Sequence, residues 1–125
     1  MKKTIVSPDA PKPVGPYNQA IQAGGFLFVS GQLAIEPKTN QLAPADITGQ
    51  THQVMENIKA ILHAAGYRLS DIVQTTVYLS SMDLFADFNC EYAKYFTNNY
   101  PARATVACQL KAGALVEIVT VAYKE

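Results

Sequence analysis

The sequence has no surplus of either charge: ten Lys and Arg stand against ten Asp and Glu. A neutral chain makes no long-range field to gather phosphates, so general nucleic-acid binding is not expected, although one local cation can still hold a small anion. No apolar run approaches the ~20 residues of a membrane span. The stretch Thr4-Ile5-Val6 behind Lys2 and Lys3 is far too short for a secretory signal, so a cytoplasmic protein is expected. Cys90 and Cys108 form no C-x-x-C pair and read as free thiols of a reducing compartment. The motifs G-x-G-x-x-G, G-x-x-x-x-G-K-[ST], H-E-x-x-H and G-x-S-x-G are all missing, which removes the common dinucleotide, phosphate-loop, metalloprotease and serine-hydrolase signatures. His52 and His63 fall on the polar side of a predicted helix with Glu56 and Lys59. No group has zinc spacing, so no metal site is expected. There is no internal repeat and no linker, and 125 residues with 49% apolar content can form one domain, residues 1–125, with its own core.

What is present reads as short strands and two helices. Ile5-Val6 suits a strand, after which Pro8, Pro11, Pro13 and Pro16 forbid regular structure, because proline fixes φ and lacks an N–H. The segment Gly15 to Tyr17 is a rigid turn. Ile21-Gln22 and Phe26 to Ser30, separated by Gly24-Gly25, read as a hairpin that Leu33 to Ile35 extends, and residues 37–44 read as a loop. Asp46 or Thr48 caps a first helix whose apolar stripe is Val54, Ile58, Ile61, Leu62 and Ala65, and Gly66 suits the left-handed position that ends it. Ile72 to Leu79 is a β-branched strand. Asp83 caps a second helix with the stripe Phe85, Phe88, Tyr92, Tyr95 and Phe96, ending at Asn98-Asn99. Ala104 to Cys108 and Leu115 to Tyr123 are the final strands. The order ββ(β)-α-β-α-ββ predicts an α+β fold, one mixed sheet with two helices on one face. The other face, rich in Val, Thr, Ala and Tyr, needs a cover, and a second copy of the chain is the simplest one.

A few polar residues stand where chemistry can form. Glu117 interrupts the strand L-V-E-I-V-T-V-A-Y and by alternation shares a face with Leu115, Val119 and Val121, a costly place for an unpaired carboxylate. Arg103 begins the preceding strand. If the last two strands pair as an antiparallel hairpin, its guanidinium reaches the region of Glu117. It can then bind a ligand carboxylate through two parallel hydrogen bonds, or make a plain structural ion pair with Glu117. Asn89 lies near the apolar stripe of the second helix. Ser30 and Gly31 end a strand, and Gly31 permits close approach of a ligand or backbone. Tyr17 follows a rigid turn.

Several motifs in order resemble one family. They are P-x-x-x-G-P-Y at Pro11 to Tyr17, V-S-G-Q at Val29 to Gln32, P-A-D-I at Pro44 to Ile47 and Q-T-H-Q-V at Gln50 to Val54. They continue with N-I-K-A-I-L-x-x-A-G at Asn57 to Gly66, D-I-V-x-T-T-V-Y-L at Asp71 to Leu79, P-A-R at Pro101 to Arg103 and L-V-E-I at Leu115 to Ile118. The chain is thereby similar, over its whole length, to the reactive intermediate/imine deaminases of the RidA/YjgF family, also labelled endoribonuclease L-PSP. The resemblance implies a chorismate mutase-like α+β fold and a homotrimeric barrel with clefts between subunits. It implies that Arg103 binds the substrate carboxylate, that Glu117 activates water, and that Tyr17, Ser30, Gly31 and Asn89 shape the cleft. Thr105 stands where many members carry a cysteine, and the segment between Arg103 and L-V-E-I is one residue shorter than in many of them.

The reaction so implied is hydrolysis of 2-imino or 2-enamino acids, such as 2-aminoacrylate and 2-iminobutanoate, to 2-keto acids and ammonia. An iminium is already electrophilic, so no cofactor is expected. Two other readings compete: a non-catalytic metabolite-binding or chaperone-like trimer, and an endoribonuclease or translation inhibitor. The second is opposed by zero net charge, unpaired histidines and the lack of a basic stripe.

Overall fold

A computed structural model of the chain describes residues 1–125. Strands β1 (Lys2–Ile5), β2 (Ala20–Ala23) and β3 (Phe26–Gln32) form an antiparallel meander. After β3 the chain leaves the sheet. Strands β4 (Ile35–Glu36) and β5 (Gln41–Leu42) make a separate small hairpin, so residues 33–35 do not extend the main sheet and residues 37–44 are not all loop. A register shift between Val29 and Gln32 turns the chain, and Asn40 at φ 60° closes the hairpin.

Helix α1 (Ile47–Ala64) begins where the sequence places it, with the Asp46 carboxylate accepting from the Gly49 N–H at 3.1 Å. It ends on Gly66 at φ +80°, with the N–H of Tyr67 reaching the Leu62 carbonyl at 2.9 Å, the usual left-handed helix stop. Strand β6 (Ile72–Leu79) follows. The second helix differs from expectation at both ends. The Ser81 side chain, not Asp83, caps a single 3-10 turn that leads into α2 (Phe85–Ala93). The chain then tightens into i→i+3 bonds at Tyr95 and Phe96, so the last two aromatics of the stripe pack from a turn and the helix ends short of Asn98.

Strands β7 (Ala102–Ala107) and β8 (Val116–Tyr123) complete the sheet, whose order is β1-β2-β3-β8-β6-β7. Here the conditional hairpin fails. β7 pairs in parallel with β6, whereas β8 lies on the other side of β6 and runs antiparallel to both β6 and β3. The physical reason is α2: it serves as the crossover of a β-α-β unit, and a crossover returns the chain parallel to the strand it left.

The core lies between the sheet and the two helices. Leu27, Val29, Val77, Leu79, Val116 and Ile118 from the sheet meet Val54, Met55, Ile58, Ile61 and Leu62 of α1 and Phe88 of α2, all buried. Each such side chain contributes about 1.5–3 kcal/mol by leaving water. The opposite sheet face leaves Phe26, Phe28, Val106 and Tyr123 exposed, with the Phe26 and Tyr123 rings 4.9 Å apart. No helix is long and apolar enough to cross a membrane.

Candidate functional site

Two groups of polar residues emerge, one on each side of the sheet. The first is built around Arg103. Parallel pairing sets Arg103 beside Thr75 and Thr105 beside Val77, so both project toward the helix side at the sheet's edge. The Arg103 Nη1 donates to Asn89 Oδ1 at 2.9 Å. Its guanidinium lies 5.1 Å from the Tyr92 ring centre, 5.6 Å from Phe85 and 5.7 Å from Phe88, a cation–π cage spread over about two turns of α2. Tyr92 is itself fixed by a 2.7 Å bond between its hydroxyl and that of Thr75. Burial pushes the Tyr92 phenol up, against the opposing pull of the Thr75 hydrogen bond and the Arg103 charge. Arg103 makes no ion pair within the chain, and its free side borders a cleft of about 430 Å³ lined by Asn89, Tyr92, Ala93, Tyr100 and Pro101. The Thr105 hydroxyl is buried without a hydrogen-bond partner.

The second group gathers Tyr17, Ser30, Gly31 and Glu117. Glu117 stands opposite Tyr78 in register, on the sheet face away from the helices. Alternation correctly grouped it with Val119 and Val121, but the buried partners of β8 are the other set, Val116, Ile118, Thr120 and Ala122. Its carboxylate rests on Gly31 so closely that a Cβ at that position would collide with it. Burial raises the Glu117 carboxyl above the ordinary glutamate range, with no cation counted among the causes. The expected proximity to Arg103 is therefore corrected: within one chain the two residues lie on opposite faces, with β6 between their strands. Tyr17 shares with Gly31 a cavity of about 120 Å³. The Tyr17 hydroxyl accepts from the Val14 N–H at 3.3 Å, which holds the ring over its own turn. The Ser30 hydroxyl donates to the Asn18 carbonyl at 2.6 Å, so its proton is engaged and its lone pairs are what it offers.

The structure thus brings Arg103, Asn89 and Thr105 together, brings Tyr17, Ser30, Gly31 and Glu117 together, and separates the two sets. The cage of Phe85, Phe88 and Tyr92 was legible only as an apolar stripe. Nothing in its spacing reports that a cation from a strand would enter it. His52 does not stand free on its polar face, because its Nδ1 meets the Tyr95 hydroxyl and lies 3.7 Å from Glu91. Both cysteines are free and exposed. No group of three or more His, Cys, Asp or Glu side chains is placed to hold a metal ion.

Comparison with known proteins agrees with this architecture. Residues 7–124 match the model of the family described as Endoribonuclease L-PSP. A RutC family protein of Pyrococcus horikoshii is 53% identical over 126 residues, covering 100% of both chains. An Escherichia coli protein named 2-iminobutanoate/2-iminopropanoate deaminase is 38% identical over 128 residues, covering 99% of each. The crystal structure of RidA from an Antarctic Psychrobacter superposes with a TM-score of 0.94 at 40% identity, over 98% of this chain and 99% of that one.

Proposed function

The chain belongs to the endoribonuclease L-PSP family, the RidA/YjgF proteins, and from that premise we propose that it hydrolyses 2-imino and 2-enamino acids to 2-keto acids and ammonia. The observation that carries this reading is a guanidinium held from behind and unpaired in front. Asn89 and three aromatic rings orient Arg103, and no carboxylate of the chain answers it. A planar fork prepared in this way is complementary to a substrate carboxylate.

The second half of the chemistry comes from a neighbouring copy. In a homotrimer, each cleft takes Arg103, Asn89 and Thr105 from one subunit and Tyr17, Ser30, Gly31 and Glu117 from the next. Two observations support this assembly. The two sets lie on opposite faces of one sheet, and the face carrying Glu117 also exposes Phe26, Phe28, Val106 and Tyr123, a patch that a partner would cover.

Arg103 fixes the carboxylate and thereby the C=N carbon, which turns an encounter into an oriented attack. Glu117 takes a proton from water as the oxygen adds to that carbon. It then delivers the proton to nitrogen, giving the carbinolamine, and transfer of the carbinolamine hydroxyl proton to nitrogen through the same carboxylate lets the C–N bond break, so that ammonia departs and the keto acid remains. Burial helps here, because a carboxylate whose affinity for protons is raised is a stronger base than one in water. Thr105, with its unsatisfied hydroxyl, supplies a donor or acceptor beside the bound carboxylate.

The test is a coupled assay. A threonine or serine dehydratase generates the imine, semicarbazide competes for it, and keto-acid release is followed. The wild type accelerates release, and Arg103→Ala lowers kcat/KM by about 10²-fold or more while the chain stays folded. Near-normal turnover by Arg103→Ala would remove the assigned receptor. A wild type inert toward several imines leaves a metabolite-binding trimer as the reading.

A further inference from the structure

The cavity beside Tyr17 and Gly31 is bordered by two lysines, Lys12 and Lys111, and by no acidic residue. Neither lysine forms an ion pair within the chain. In a molecule of zero net charge, two cations unpaired within the chain on one small cavity make a local positive field, and the acidic group beside it is Glu117, whose carboxylate rests against Gly31.

The backbone that carries each lysine is fixed in the same way. Gln19 is 3% exposed. Its Oε1 accepts from the Ser7 N–H at 2.7 Å, and its Nε2 lies 3.1 Å from the Ser7 carbonyl, 3.4 Å from that of Ala10 and 2.9 Å from that of Pro11. The loop so gripped continues directly into Lys12, which is further confined between Pro11 and Pro13. Gln50 is fully buried. Its Oε1 accepts from the Leu115 N–H at 2.8 Å, and its Nε2 lies 3.1 Å from the Ala43 carbonyl, 3.4 Å from that of Pro44 and 3.0 Å from that of Gly113. That grip closes the turn in which the Lys111 carbonyl accepts from the Ala114 N–H at 2.9 Å. Two buried glutamines, far apart in sequence, thus each hold one lysine-bearing loop at the rim of the same cavity. A lysine on a free loop costs entropy to recruit; on a clamped loop only the side chain must be ordered.

We propose that Lys12 and Lys111 form a second anion receptor of the cleft and make the preferred substrates imines that bear a side-chain carboxylate, the imino acids of four- and five-carbon dicarboxylic amino acids. The assignment rests on the deaminase reading above: Arg103 takes the carboxylate next to the C=N carbon, and the two lysines take the distal one. The bond chemistry is unchanged. Water adds to the imine carbon, ammonia leaves, and the distal carboxylate stays intact.

The experiment compares kcat/KM for imines generated in place by amino-acid oxidases, one from a neutral amino acid and one from an acidic amino acid. The wild type and the Lys12→Ala/Lys111→Ala double variant are measured on both, with semicarbazide as the competing trap. The wild type is expected to favour the acidic imine. The double variant is expected to lower the acidic-to-neutral ratio about five- to tenfold, the size of two partly exposed charge pairs. Lys111→Glu is expected to lower the ratio further, because it places a like charge against the ligand. A wild type that turns over the neutral imine with no preference for the acidic one overturns the lysine assignment and leaves the deaminase reading standing. Equal loss on both imines in the double variant also overturns it, since that is damage to the cleft and not lost selectivity. A wild type inert on both overturns the deaminase reading itself.

Discussion

The two faces of the six-stranded sheet come from the same alternating strands, yet they have opposite fates. On the helix side, Val77, Leu79, Val116 and Ile118 are sealed under α1 and α2, whereas the charged Arg103 on that side stays exposed on the edge strand β7. On the other side Phe26, Phe28, Val106 and Tyr123 remain exposed, and Glu117 sits half-buried without a partner. One face holds the fold together. The other leaves apolar surface exposed and a charge half-buried, and a neighbouring copy is the partner proposed for both. A group that binds by charge can sit on the rim of a finished core, whereas a group that must act as a base gains from a dry site that a second molecule completes.

The sharpest break of this contrast is Phe88→Ala. It removes a fully buried ring and should cost about 3–5 kcal/mol, read by chemical denaturation. It also strips one wall of the Arg103 cage, so activity should fall further than the residual folded fraction explains. A loss under about 1 kcal/mol would mean that the helix face is not the principal core.

Glu117→Gln separates catalysis from stability. Turnover should fall by about 10²-fold or more, and the acid limb of the wild-type rate should lie above the ordinary glutamate value of ~4.3, because burial raises this carboxyl. The sign for stability follows. With the folded value raised, the group's contribution is fully present below the unfolded range and is lost as pH rises through the folded one. Glu117→Gln cannot ionise and should therefore melt higher than wild type at neutral pH, with the gap closing in acid. An unchanged rate, or a lower melting temperature at neutral pH, would contradict the base and the burial respectively.

The smallest effect on the fold belongs to the open face. Phe28→Ser should change the unfolding free energy of an isolated chain by no more than about 0.5 kcal/mol, yet shift the particle size measured by sedimentation toward monomer. A large loss of stability with no change in size would transfer Phe28 to the core.

How much of this was legible in the sequence depends on how local the cause is. The Asp46 cap, the Gly66 stop, the α1 stripe and the strand Ile72–Leu79 rest on neighbouring residues, and all appear as expected. Strand partners do not rest on neighbours. β7 and β8 are adjacent in sequence, but β6 lies between them, a choice made by the α2 crossover. Alternation put Glu117 in the right set of residues but could not say which set is dry, since that depends on where the helices land. Arg103 and Glu117 stand out as unusual residues, but the roles proposed for them rest on resemblance. The cage around Arg103 and the glutamine clamps under Lys12 and Lys111 depend on contacts across the fold and left no local pattern to read.

The position of β8 bears on how the molecule is made. It is the last of the eight strands to leave the ribosome, yet it fills the centre of the sheet, bonded to β3 on one side and β6 on the other. Until it arrives, the nascent chain holds two half-sheets, each with an open edge of unpaired N–H and C=O groups, and such edges are templates for mispairing. A stop codon that removes β8 would therefore not trim the protein at its margin. It would remove the keystone, and the product should be insoluble.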